Sequence, residues 1–353
     1  MSINMFVTDI DPAGDLLVEI PIAGDPNTVH TYRVCKRTMQ RLYPVKNEFF
    51  SNTEGDIVKI PTAHPIGIVT IAFKIAHAFF LAAPDTIDEQ DFFHLLKFTS
   101  KLGITQILRP YAKNWAAAIK LSEVGENGVS SERVFIAWEL GDRASFDNMV
   151  THVACASKKR RATDFREHLK SLECFQYIKH IRDQDSVPII DRLVVDIEAT
   201  RVEAIQIIYD LIGKTMEALA TEGDGTPKGH RICHHHDAQD ACEIFLLGSV
   251  YQLLFESKLC AENRVKPDRQ AQSVHDLIDH IRDIEPQLKS QDLRYFFPKM
   301  KHPRCSRWLP LFTNLEGTVD EFSVLSLRHF EDYFKEQGKL TGFVVESSVM
   351  AID

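Results

Sequence analysis

The sequence predicts an α/β (α+β) domain over residues 1–122 followed by an all-α domain over residues 132–353, on three observations. Apolar residues alternate with a period of two in Asp15 to Ile22 (DLLVEIPI) and again in Thr28 to Val34, the pattern of strands that bury one side. Beyond residue 132 the apolar spacing becomes helical throughout. Between the two regimes, Glu123 to Ser131 (EVGENGVSS) carries two glycines and small polar residues, the composition of a linker. At 353 residues the chain is longer than the ~150 residues of an average domain, so each part has enough chain to bury a core.

Taken in order, Leu16, Val18, Ile20 and Ile22 share one strand face. Ala23 to Asn27 (AGDPN) favours a reversal, and His30, Tyr32 and Val34 share a face of the returning strand. Lys36 to Leu42 is expected to wind into a helix before Pro44 interrupts it. Asp56 to Ile60 is expected as a third strand joining the hairpin. Ile66 to Ala83 (IGIVTIAFKIAHAFFLAA) is nearly apolar and approaches the ~20 residues that span a bilayer. Lys74 and His77 sit in its middle and Pro65 and Pro84 bracket it, so it reads as a buried core helix and no membrane association is expected. Thr86 and Glu89 have the spacing of a capping box. The following helix presents Phe92, Leu95, Leu96, Thr99 and Leu102 on one face and stops at Gly103.

In the second part, Val134 to Leu140 is expected to end at Gly141, and Ser145 to Ala156 to bury Phe146, Met149, Val150 and Val153. Ile189 to Leu219 carries apolar residues at Ile190, Val194, Ile197, Ala204, Ile208 and Leu211, a stripe that Arg201 interrupts. A helix of about 30 residues spans ~45 Å. Further helices are expected over Gln239 to Leu259, Ser273 to Ile284 and Glu316 to Phe334.

The stretch from Gly14 to Phe50 resembles the opening of a BTB/POZ domain. In that family an acidic residue starts a strand, a hairpin follows, and aliphatics lead into a serine-proline-valine-phenylalanine helix end. Asp15 takes the acidic position, Tyr32 that of a phenylalanine, Met39 that of a core leucine, and Pro44 and Val45 the conserved pair. Cys35, Tyr43 and Lys46 depart from the family's histidine, serine and phenylalanine. "KLGITQILRPYAKNWAAAI" (Lys101 to Ile119), with Arg109, Pro110 and Trp115, and "FIAWELGD" before Phe146 are similar to the fungal branch of the family. The resemblance implies a surface for self-association or for docking a protein partner, in some relatives a cullin-type ubiquitin ligase scaffold. Fourteen residues precede Asp15, fewer than the swapped strand and helix that BTB dimers use, which leaves a monomer and a different dimer both open.

Composition narrows the function classes. Net charge is −9, against a broad nucleic-acid-binding surface. Lys158 to Arg161 (KKRR) reads either as a solvated helix face or as a nuclear import signal. Seven scattered cysteines, and an N-terminus without a basic or an apolar signal region, point to reduced thiols in the cytoplasm or nucleus. The nucleophile elbow, the phosphate loop, the dinucleotide fingerprint and the H-E-x-x-H pair have no match in the sequence. Asp9, Asp11 and Gly14 mimic the start of a calcium loop, but Ala13 and Ile20 occupy ligand positions.

His230 to Cys242 (HRICHHHDAQDAC), with an H-x-x-C step at His302 and Cys305, is the sharpest chemical signal. Thiolate and imidazole are zinc ligands, and four in tetrahedral array close a structural site. Cys233, Cys242, His302 and Cys305 are therefore the candidate ligands for one structural zinc, and their residue types also match the fungal branch. Separate buried cysteines beside an exposed histidine run are the other reading. The function expected is a non-enzymatic protein–protein interaction module. A metal-dependent enzyme using the Cys/His cluster and a transcription-associated BTB factor are the alternatives.

Overall fold

The computed structural model describes residues 5–22, 25–42, 56–125, 128–158, 165–178, 188–221, 239–260, 264–290 and 330–344. The architecture is mixed α+β, a small sheet at the N-terminus followed mostly by helices. The sheet contains β1 (Met5–Asp9), β2 (Leu16–Ile22), β3 (Asp25–Val34) and β4 (Ile57–Lys59) in the order β1-β3-β2-β4. β2 and β3 form the expected antiparallel hairpin, with Val18 opposite Tyr32 and Ile20 opposite His30. This register puts Leu16, Val18, Ile20, Tyr32 and Val34 in the core. Gly14 sits where the turn before β2 passes the end of β3: a Cβ there would lie 2.6 Å from the Val34 carbonyl oxygen. The expected third strand is β4, parallel to β2 with Val58 buried. β1, parallel to β3, is an addition. At five residues, with Phe6 and Val7 exposed, it has too little alternation to be read from pattern.

The helices are α1 (Lys36–Leu42), α2 (Ile66–Ala76), α3 (Glu89–Leu102), α4 (Ala112–Ala118), α5 (Ser131–Leu140), α6 (Arg143–Ala156), α7 (Phe165–Ser171), α8 (Ile189–Thr221), α9 (Gln239–Glu256), α10 (Val274–Ser290) and α11 (Glu331–Thr341). They belong to two compact units. The first comprises Met1–Phe146, Glu173–Ile178 and Phe330–Asp353, the second Asp147–Leu172 and Lys179–His329.

In the first unit Asp15 Oδ1 accepts the Lys36 amide at 2.8 Å and so satisfies a free donor at the start of α1, while Met39 is buried. α3 buries its expected face and ends at Gly103 with φ 67°. Its start differs from expectation. Asp88, whose Oδ1 accepts the Asp91 amide at 2.8 Å, is the N-cap in place of Thr86, and the Glu89 carboxylate turns instead to Ser130 and Arg133. α5 and α6 match their predicted cores, and α5 ends at Gly141 with φ 68°. The last helix lies at Glu331–Thr341, past the expected end at Phe334; residues 316–329 are outside the described residues.

In the second unit α8 is one 33-residue helix. Ile190, Val194, Ile197, Ala204 and Ile208 are buried as expected, against Val250 and Leu254 of α9 and Leu277 and Ile281 of α10 for the C-terminal part. Arg201 does not turn to solvent: it is 1% exposed. Its guanidinium donates to the carbonyls of Ser157 (3.2 Å), Gln270 and Gln272 (both 2.7 Å) and lies over the Phe165 ring. A buried cation is tolerated where its donors are met. Arg201 thus joins the α8 stripe to the loop before α10.

Candidate protein-interaction surface

The apolar run after Pro65 splits into two parts with opposite fates. α2 buries Ile68, Val69, Ala72, Phe73 and Ile75, each contributing about 1.5–3 kcal/mol for the larger side chains. The helix then stops at His77 instead of continuing to Ala83, which corrects the single buried helix expected there. His77 holds the turn: Nδ1 donates to the Phe73 carbonyl at 2.8 Å, and Nε2 accepts the Cys35 amide at 3.0 Å. Ala78 adopts φ 64°, a left-handed conformation that costs a non-glycine residue roughly 1–2 kcal/mol. The next three side chains, Phe79, Phe80 and Leu81, are 51%, 56% and 104% exposed. Single exposed apolar residues are ordinary, but three large ones in succession leave an unusual amount of apolar surface in one short turn.

The backbone under this patch is anchored. Tyr111 Oη donates to the Phe80 carbonyl at 3.2 Å, and Trp115 Nε1 donates to the Pro84 carbonyl at 3.0 Å. The Tyr111 ring stacks on Trp115 with centroids 5.0 Å apart, and Trp115 is fully buried with its edge against Phe92. Burial pushes the Tyr111 phenol up, so it stays a neutral donor. The "RPYAKNW" word thus places two hydrogen-bond donors under the loop, fixing its main chain while its apolar side chains point into solvent.

The candidate zinc ligands Cys233, His302 and Cys305 lie outside the described residues, and Cys242 falls in the first turn of α9, its side chain likewise outside them. Among the described residues no group of three or more His, Cys, Asp or Glu is placed to hold a metal ion. Cys35, Cys155 and Cys174 are free thiols. Burial pushes Cys155 up to about 11 and Cys174 up to about 12, leaving both as weak nucleophiles. From the basic run, Lys158 Nζ pairs with Asp276 at 3.0 Å, at a groove of ≈ 490 Å³ that Asp279, His280 and Asp283 also line; residues 159–161 are outside the described residues. No described helix is long and apolar enough to cross a membrane.

No family model matches the chain, and no curated protein or solved structure matches it.

Phe79 to Leu81 were missed from sequence because they sit inside a stretch whose period fits burial throughout. Pro84 gave no signal of this, because it is equally compatible with a helix running to Ala83.

Proposed function

We propose that residues 1–122 form a non-enzymatic protein-interaction module of BTB/POZ type and that a protein partner docks on Phe79, Phe80 and Leu81. The anchored apolar patch carries this reading: exposing three large side chains on a fixed backbone costs solvation that a bound surface would recover, with little ordering entropy left to lose. Supporting the BTB-type assignment, the chain runs hairpin, helix, strand, helices, and Asp15, Tyr32 and Met39 cap or fill the core at the positions the resemblance marks. Tyr32 also donates from its hydroxyl to the Ile66 carbonyl at 3.1 Å, joining the hairpin to α2.

The test is affinity capture with the full chain as bait, read by quantitative mass spectrometry, beside a Phe80→Asp/Leu81→Asp variant. Both side chains are exposed, so the variant keeps the wild-type melting temperature. The expected result is a protein enriched reproducibly by the wild type and at least about tenfold less by the variant, equivalent to about 1.4 kcal/mol of binding. Equal enrichment by the two baits overturns the docking site. Light scattering on the same pair separates a second copy from a different partner: a doubled mass that only the wild type shows identifies self-association.

A further inference from the structure

Helix α5 ends with carbonyls that its own turns cannot all satisfy; α11 brings donors to the last three, of which the Trp138 carbonyl also accepts the Gly141 amide. Tyr333 Oη reaches the Trp138 carbonyl at 3.5 Å, Gln337 Nε2 donates to the Glu139 carbonyl at 2.5 Å, and Thr341 Oγ1 donates to the Leu140 carbonyl. These residues recur every four positions and so share one face of α11. The Tyr333 ring stacks on Trp138 with centroids 4.1 Å apart, and Gly141 and Gly338 bring the two backbones into direct contact. α11 is therefore a C-terminal clamp on the end of α5.

Inside this contact sits an acidic side chain. Glu139 is 7% exposed. Burial pushes its carboxyl up to about 7, against a hydrogen bond with the Ser100 side chain of α3 that pulls it down; its charge in turn helps raise the Tyr333 phenol, which burial already raises. The Ser100 hydroxyl that bonds it is uncharged, as is the Tyr333 phenol, which donates to the Trp138 carbonyl instead. The charged side chains of the flanking segments lie elsewhere: Lys97, Lys101, Glu173, Asp332, Lys335 and Glu336 are exposed. Arg143 pairs with Glu331, and Lys339 with Glu336. Among the described residues no cation pairs with this carboxyl to offset its desolvation.

We propose that Glu139 makes the docking of α11 a pH-dependent latch, closed while the carboxyl is protonated and loosened as it ionises. The sign follows from linkage. With α11 docked the group holds its proton up to about pH 7; release that bares the carboxyl to water removes the burial and returns it towards the ordinary carboxyl range. Release is therefore increasingly favoured as pH rises between those values and levels off above the upper one, by up to about two orders of magnitude across the window. Neither the docking patch nor the family resemblance enters this inference.

Hydrogen exchange of the full chain between pH 4.5 and 8.5, corrected for the intrinsic pH dependence of exchange, tests it. Protection of the 331–341 amides is expected to fall up to about 100-fold in the wild type and then level near pH 7. Glu139→Gln keeps shape and hydrogen bonding and removes the charge, so its profile is expected to be flat. Ser100→Ala removes the donor that favours the ionised form, so the plateau is expected at higher pH. A wild-type profile without pH dependence overturns the latch, and so does one that Glu139→Gln shares. Should Glu139→Gln fail to fold, an unchanged plateau in Ser100→Ala has the same force.

Discussion

His64 and Arg133 carry roles that their sequence neighbours do not announce. His64 is 3% exposed, bonded through Nε2 to the Thr62 hydroxyl at 2.8 Å and packed edge-on against Phe98. Burial, and then the charges of Lys101, Lys97 and His94, push it down to about 4. A histidine held neutral stabilises the fold fully above its ordinary value near 6.5, and that contribution is lost as pH falls towards 4. Urea melts at pH 7 and pH 4.5 should show the wild type losing up to about 2–3 kcal/mol more than His64→Gln. Arg133 gathers four acceptors: Glu89 Oε2 at 2.8 Å and the carbonyls of Ile119, Lys120 and Glu123. It ties the start of α3 and the turn after α4 to the first turn of α5. Arg133→Ala is expected to cost about 1–3 kcal/mol in urea melts, and Arg133→Lys to recover only part, because an ammonium lacks the planar fork. Glu89 was legible as a helix-start residue, but Arg133, forty-four residues on, claims its carboxylate, and Asp88 takes the cap.

At the scale of elements, periodicity was a sound guide where one face is buried and the element is long. α3, α5 and α6 begin or end within a few residues of expectation, with Gly103 and Gly141 as the stops. It failed at α2, since a period compatible with burial does not say how far burial extends; the left-handed Ala78 ends it. Gly141 illustrates a glycine with two reasons. Its φ of 68° suits a helix end, and an added Cβ would meet the Gly338 backbone, a contact that only the folded chain creates. Gly141→Ala combines the left-handed penalty with that clash and should destabilise by about 2–4 kcal/mol, measured as a lower urea midpoint with an unchanged slope. Gly103→Ala, with open space around its Cβ, should cost about 1 kcal/mol.

For the whole molecule, the first unit takes in residues 330–344 from the far end of the chain. Trp138 packs against Phe330, Tyr333 and Phe334, and Phe146 against Phe334. A chain truncated after residue 329 bares these rings and should be cut by trypsin in the first unit at least about tenfold faster than the full chain under native conditions. A zinc site would also involve the whole chain, because its candidate ligands span residues 233 to 305. Metal analysis of purified protein should find close to one zinc per chain, lost in Cys242→Ser; a wild type without zinc ends that reading.

By itself the sequence determined the class of each region, because strand and helix periods are local and follow from backbone geometry alone. It placed the hairpin, the α3, α5 and α6 helices and the long α8, and it singled out Arg109, Pro110 and Trp115. What only the tertiary structure decided are the pairings: Arg201 with the carbonyls before α10, Tyr111 with the Phe80 carbonyl and Trp115 with that of Pro84, Glu139 with Ser100. Each depends on which distant segment fills the space beside a residue, and burial, pKa and hydrogen-bond partner all follow from that neighbour.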